Sequence, residues 1–147
     1  MTQNETSVSD SVLVDATPEA VFDLLADPRK HPLIDGSGTV TGELRAPERL
    51  SLDAKFGMRM KRGLPYRVTN RVVEWEENRR IAWRNLFPHR WRYELEPEGD
   101  RTRVTETYDY SRLLPGVVSR TGVPKENLAS IRTTLERLKD HFATAAD

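Results

Sequence analysis

The chain has no cysteine among its 147 residues, which excludes disulfides, thiolate nucleophiles and cysteine-held metals. Histidine is scarce too: His31, His89 and His141 lie far apart, with no His-x-x-x-His spacing, so no metal site is expected. No apolar run approaches the roughly 20 residues of a membrane-spanning helix, and the polar N-terminus lacks the apolar centre of a signal peptide. The expected address is therefore cytoplasmic. No Gly-Lys-Ser/Thr phosphate loop or dinucleotide fingerprint occurs, and Gly36-Ser37-Gly38 is not the Gly-x-Ser-x-Gly of a nucleophile elbow. No cofactor is implied. Asn4-Glu5-Thr6 matches a glycosylation sequon, a match short enough to arise by chance.

Charge is balanced overall and uneven along the chain. The formal net charge is zero, yet residues 59–92 hold 10 basic against 3 acidic side chains. A nucleic-acid footprint has that composition. Here the arginines mostly alternate with apolar residues, as they do on the solvated outer face of a sheet, so no nucleic-acid partner is expected.

The length fits one domain, 1–147, with room for a real core. Its organising element is the last stretch. Leu128, Ile131, Leu135, Leu138 and Phe142 recur at steps of three and four, which predicts a helix over 125–144 with one apolar face. That face needs an apolar surface to cover. Upstream, Val8, Val12 and Val14 suggest a strand near 7–15, and Thr17-Pro18-Glu19 opens a short helix that Asp27-Pro28 ends. His31 to Gly36 reads as an irregular turn or a single helical turn.

From Gly38 to Tyr110 strand signals recur at hairpin spacing. The expected strands are 38–45, one holding Phe56, Met58 and Met60, Tyr66–Trp75 with a bulge at Val72-Val73, one with Ile81 and Trp83, one with Trp91, Tyr93 and Leu95, and one through Val104–Tyr110. Gly63-Leu64-Pro65 and Pro97-Glu98-Gly99-Asp100 mark turns. The apolar connection 111–123 is expected to hold a short helical piece or a lid, with Gly116 and Gly122 as bends.

This order, strand, short helices, about six antiparallel strands and a long terminal helix, is α+β. It resembles the helix-grip fold of the START-like (SRPBCC) superfamily, which includes the polyketide cyclase/dehydrase and lipid-transport proteins. Two blocks carry the resemblance: Asp15-Ala16-Thr17-Pro18-Glu19-Ala20-Val21-Phe22-Asp23-Leu24-Leu25-Ala26-Asp27-Pro28, and Glu98 to Ser111. Where tryptophan often follows the opening helix in such proteins, this chain has His31-Pro32-Leu33-Ile34. The resemblance implies a curved sheet wrapped around the terminal helix. It also implies a hydrophobic small molecule as the partner, with polyketide cyclisation or dehydration as the alternative. A homodimer is compatible with either.

Alternation selects the candidate site. If Val104, Glu106, Tyr108 and Tyr110 face the helix, then Trp91 and Tyr93, Trp83, and Met58 and Met60 face the same way. Aromatics lie against a ligand at little entropic cost, and methionine adapts to irregular shapes. The expected ligand-binding set is Met58, Met60, Trp83, Trp91, Tyr93, Glu106, Tyr108 and, from the helix, Leu135, around a pocket of roughly 300–1,000 Å³. Glu106 is the odd member. A carboxylate among aromatics needs a partner or a proton, and the arginines of 59–92 make an ion pair the expected solution. If the chain is an enzyme, Glu106, Tyr93, Tyr108 and His31 are the proton-transfer candidates. A third reading makes the basic sheet face an interaction surface.

Overall fold

The computed structural model describes residues 2–3, 6–37, 40–43 and 46–145. Asn4 and Glu5 of the sequon, and Gly38, Thr39, Leu44 and Arg45 of the expected 38–45 strand, lie outside the described residues. The elements run β1 (Thr2–Gln3), β2 (Ser7–Val14), α1 (Pro18–Leu25), a 3-10 turn (Pro28–Lys30), α2 (His31–Ile34), β3 (Val40–Glu43), β4 (Lys55–Arg62), β5 (Leu64–Glu76), β6 (Arg80–Arg84), β7 (Arg90–Glu98), β8 (Arg101–Asp109), α3 (Pro115–Val118) and α4 (Val123–Ala145). All strands join one curved antiparallel sheet in the order β1-β2-β8-β7-β6-β5-β4-β3. β1 pairs with β2, β2 pairs with the last strand β8, and the remaining strands follow in antiparallel sequence from β8 back to β3.

Local chemistry explains most boundaries. Thr17 caps α1 by accepting from the Ala20 amide, and Pro18 takes the first turn, where its missing N–H costs nothing. Asp27 caps the 3-10 turn by accepting from Arg29. The β5–β6 register shifts between Val72 and Glu74, where alternation breaks in the sequence. Gly99 turns the β7–β8 hairpin with φ of 63°, and Gly63 turns the β4–β5 hairpin with φ of 78°. Of the two expected bends, Gly122 lies in one, just ahead of α4, where its carbonyl accepts from Glu126. Gly116 instead lies inside α3, and Leu114 with φ of 41° makes the left-handed step before it.

α4 extends one or two residues beyond each end of the expected helix, and Leu128, Ile131, Leu135 and Leu138 are buried in the core. They pack against β2 and β8, so the helix crosses one half of the sheet. Strands β4 to β7 are left to α1, α2 and the sheet's own side chains. Phe22 of α1 meets Trp75 edge-on at 4.9 Å, and Arg49 lies over both rings while pairing with Asp23 and Glu77.

The loop after α2 docks directly on α4. The Gly36 amide donates to the Thr134 hydroxyl at 2.8 Å, and Arg137 donates to the Asp35 carbonyl. A Cβ on Gly36 would meet the Thr134 nitrogen at 2.6 Å, closer than real contacts allow, with helix backbone that cannot move aside. Gly36→Ala should therefore cost about 2–3 kcal/mol, as overpacking does. Chemical denaturation with an unchanged m-value would show it.

Candidate functional site: a buried acid in an aromatic wall

The hairpin register fixes which side chains share the inner face. Trp91 lies opposite Tyr108, and Tyr93 opposite Glu106. On the next strand Trp83 lies opposite Trp91, and Ile81 opposite Tyr93. The expected facing of the aromatics and of Glu106 is what the strands adopt, and Met58 is buried with Met60 packed against the same core. Two aromatic groups result. Trp83 contacts Phe56 at 5.6 Å and Tyr93 at 5.7 Å, while Trp91 contacts Tyr108 at 4.8 Å and Tyr108 contacts Tyr110 at 5.6 Å.

His31 closes the first group. Its ring stacks on Trp83 at 4.8 Å and meets Phe56 edge-on, it is 8% exposed, and its Nε2 lies 2.8 Å from the Leu25 carbonyl. A carbonyl only accepts, so Nε2 carries the proton and donates. Burial holds the imidazole pKa below its ordinary value, against the pull of the Leu25 bond and of Asp27 and Asp35. At neutral pH it is an uncharged wall of the site.

Glu106 is 4% exposed. Burial pushes its pKa up to about 8, a hydrogen bond with the Tyr93 hydroxyl pulls it back, and the Asp35 carboxylate pushes it further up. Tyr93 is itself held well above its ordinary pKa, by burial first and by Glu106 second, so its hydroxyl stays protonated. Among the described residues Glu106 Oε1 has no hydrogen-bond partner. Native proteins rarely leave such an atom unsatisfied.

Among the described residues Glu106 lacks the expected arginine partner, and the sheet's geometry explains why Arg90 and Arg92 do not serve. Arg90 and Arg92 alternate with Trp91 and Tyr93, so they point out of the opposite face. There they bind Glu74 at 2.9 and 2.7 Å, and Arg92 also binds Asp109 at 3.0 Å. Partial burial would raise the Glu74 pKa, but these two guanidinium groups outweigh it and the net shift is downward. Arg132 of α4 binds Asp10 at 3.1 Å, and Asp10 lies opposite Glu106 on β2.

Two surface pockets, of about 600 and 750 Å³, lie at the β4–β5 hairpin. The first includes Met60 and Tyr66, and the second Phe56 and Val68. Met60 is the one expected lining residue among them. Met58, Tyr93, Tyr108 and Leu135 are buried in the core instead. The reason is the placement of α4 over β2 and β8, which closes that half and leaves the β4–β5 end open.

Phe56, Asp35 and His89 belong to the site's surroundings and were not singled out from sequence. Phe56 precedes Met58 by two and His89 precedes Trp91 by two, so alternation carried the signal. Asp35 reaches Glu106 through the docked loop, for which sequence offers no sign. Among the described residues no group of three His, Asp or Glu converges in a way that could hold a metal ion.

A curved antiparallel sheet with a long C-terminal helix packed on it is the helix-grip fold. Residues 5–143 match the family described as polyketide cyclase / dehydrase and lipid transport, and the chain belongs to that family. It is 42% identical over 145 residues to the uncharacterized protein Rv0088 of Mycobacterium tuberculosis, an alignment covering 92% of this chain. The chain spans 64% of that relative's length. Among solved structures, an AHSA1-like protein from Aeromonas hydrophila superposes with a TM-score of 0.69 at 18% identity, covering 95% of this chain and 94% of that one. The Aha1 dimer from Colwellia psychrerythraea gives 0.67 at 12% identity, with 92% and 95% covered. These likenesses concern the fold.

Proposed function

We propose that the protein binds an apolar small molecule on the inner face of β4 to β8, with one oxygen of that molecule received by Glu106, which the Tyr93 hydroxyl holds in place. The observation that carries this reading is the buried Glu106 carboxyl with Oε1 unpartnered among Trp83, Trp91, Tyr93 and Tyr108. With a pKa of about 8, roughly nine-tenths of these carboxyls are protonated at pH 7. A protonated carboxyl donates one hydrogen bond from its unpartnered oxygen, while the single Tyr93 hydroxyl proton is engaged by the carboxyl itself. One donor in an apolar setting suits a neutral carbonyl or hydroxyl oxygen. A ligand carboxylate would meet the Asp35 charge and pay desolvation as well. Family membership supports a hydrophobic ligand; the preference for a neutral oxygen comes from this chain's own residues.

A binding titration tests it. A neutral carbonyl-bearing aromatic probe such as anthrone should bind saturably, one per chain, and quench tryptophan emission. A long-chain fatty acid anion should bind at least tenfold more weakly. Trp83→Ala should weaken the probe about tenfold. An absence of saturable uptake, or a preference for the anion, would reject the reading.

The acid's position near neutrality also favours a second reading, an enzyme that moves a proton to or from a polyketide-like carbonyl compound. Glu106 would then be the acid/base and Tyr93 the stabiliser of the developing oxyanion. Glu106→Gln would separate the two readings: binding should survive in both, while turnover of a substrate should fall about 10²–10⁴-fold in the enzyme.

A further inference from the structure

We propose that the end of the sheet carrying the β4–β5 turn docks on anionic lipid membranes, with Leu64 at its tip entering the acyl boundary and Lys61 and Arg67 meeting lipid phosphates. The proposal is independent of what the inner face holds.

The topology brings three apolar tips to one end of the sheet. Arg84, where β6 ends, lies opposite Arg71, and Arg90, where β7 begins, lies opposite Asp109, where β8 ends. The β6–β7 loop, the segment after β8 and the β4–β5 turn therefore leave the sheet on the same side. β5 continues from Arg71 back to Leu64, seven residues or about 20 Å past the end of β6, so the hairpin projects beyond the other two tips. Leu64 is 79% exposed, and Leu86 in the β6–β7 loop is 85% exposed. Phe87 beside it is exposed as well, as are Leu114 and Val117 after β8. Large apolar side chains exposed at three projecting loop tips fit insertion into a soft boundary better than docking on a rigid one.

Charge names the occupant. Residues 54–73 contain six basic side chains and no acidic one. Further along the sheet Glu74 and Asp109 take Arg80, Arg90, Arg92 and Arg112, and Asp53 takes Arg71. Nearer the hairpin tip, Lys61 lies opposite Pro65 and Arg67 opposite Arg59, and Lys61 and Arg67 line the pocket of about 600 Å³ that Met60 and Tyr66 share. Among the described residues no carboxylate lines that pocket. Lys61 and Arg67 form no ion pair among the described residues. A second copy of this chain would bring the same cations against these, so self-association through this end is repelled. Nucleic acid would use the cations and leave the leucines in water. An anionic bilayer answers both features, since basic side chains gather its headgroups while apolar ones enter below them.

Vesicle co-sedimentation of the full chain tests the proposal, with one-to-one phosphatidylglycerol and phosphatidylcholine vesicles against pure phosphatidylcholine. Binding to the anionic vesicles should be at least tenfold stronger, and 500 mM salt should release most of it. Lys61→Glu with Arg67→Glu should reduce it at least tenfold. Leu64→Asp should reduce it several-fold with the cations intact. All three side chains are at the surface, and unchanged thermal melting and unchanged probe uptake would show that fold and inner face are intact. Equal binding to both vesicle types, or none, would overturn the proposal. So would anionic-vesicle binding insensitive to these substitutions. Polyanion binding, to DNA or polyglutamate, that equals vesicle binding and ignores Leu64→Asp would also overturn it, in favour of a purely electrostatic surface.

Discussion

Leu135→Asp should abolish cooperative folding at neutral pH. Leu135 is buried on the face of α4 that meets β2 and β8, in a cluster with Leu128, Ile131 and Leu138. Removing the leucine's burial alone costs about 2–5 kcal/mol, which is what Leu135→Ala should show. Aspartate adds a charge with no cation placed to meet it, a further cost of several kcal/mol. The sum reaches the whole stability of an ordinary domain, about 5–15 kcal/mol. Near-ultraviolet circular dichroism should be lost and exposed-apolar dye binding gained. A folded variant with a normal urea midpoint would show that α4 does not organise the core.

The second large effect is the pH dependence of Glu106→Gln. The folded pKa of Glu106, about 8, lies above the 4.5 of an ordinary glutamate. The folded state therefore holds a proton that the unfolded state gives up between these values. The stability penalty is absent below pH 4.5, grows as pH rises, and is complete above pH 8. At about 1.4 kcal/mol per pH unit it reaches on the order of 4–5 kcal/mol. Glutamine has no such proton. The variant should match the parent near pH 5 and exceed its stability by several kcal/mol at pH 9. Other groups act in the opposite direction. Glu74 and Asp109 are held below their ordinary pKa values, so their stabilisation is lost as pH falls through the folded value. Buried His31 has a lowered pKa, so it too loses stability as pH falls below 6.5. The parent's stability should peak at mildly acidic to neutral pH. Denaturant titrations of both proteins from pH 4 to 9 would check this.

Much of this was legible in the sequence because two periodicities were clean. The steps of three and four from Leu128 to Leu138 named the face of α4 that is buried. The strict alternation from Val104 to Tyr110 placed Glu106 inward, with Tyr93 and Trp91 beside it. The break at Val72-Val73 became the bulge. The partner of Glu106 was misjudged, although the same alternation excluded the arginines: residues interleaved with inward aromatics on a pleated strand point outward. Asp35 was not legible, since its approach depends on Gly36 fitting against α4. The strands that α4 covers were not legible either. Periodicity gives a helix its apolar face but does not say which strands it crosses, and here it crosses β2 and β8 and leaves the β4–β5 end open.

The central claim is that Glu106 is a buried, protonated acid kept for a ligand. Carbon-13 NMR of the glutamate side-chain carboxyl, assigned by its loss in Glu106→Gln, measures this directly across pH 3 to 10. The expected midpoint is about 8, moving higher when the neutral carbonyl probe is bound, because the ligand accepts from the protonated form. A midpoint near 4.5 that the probe leaves unchanged would contradict it, and would make Glu106 an ordinary carboxylate in contact with water.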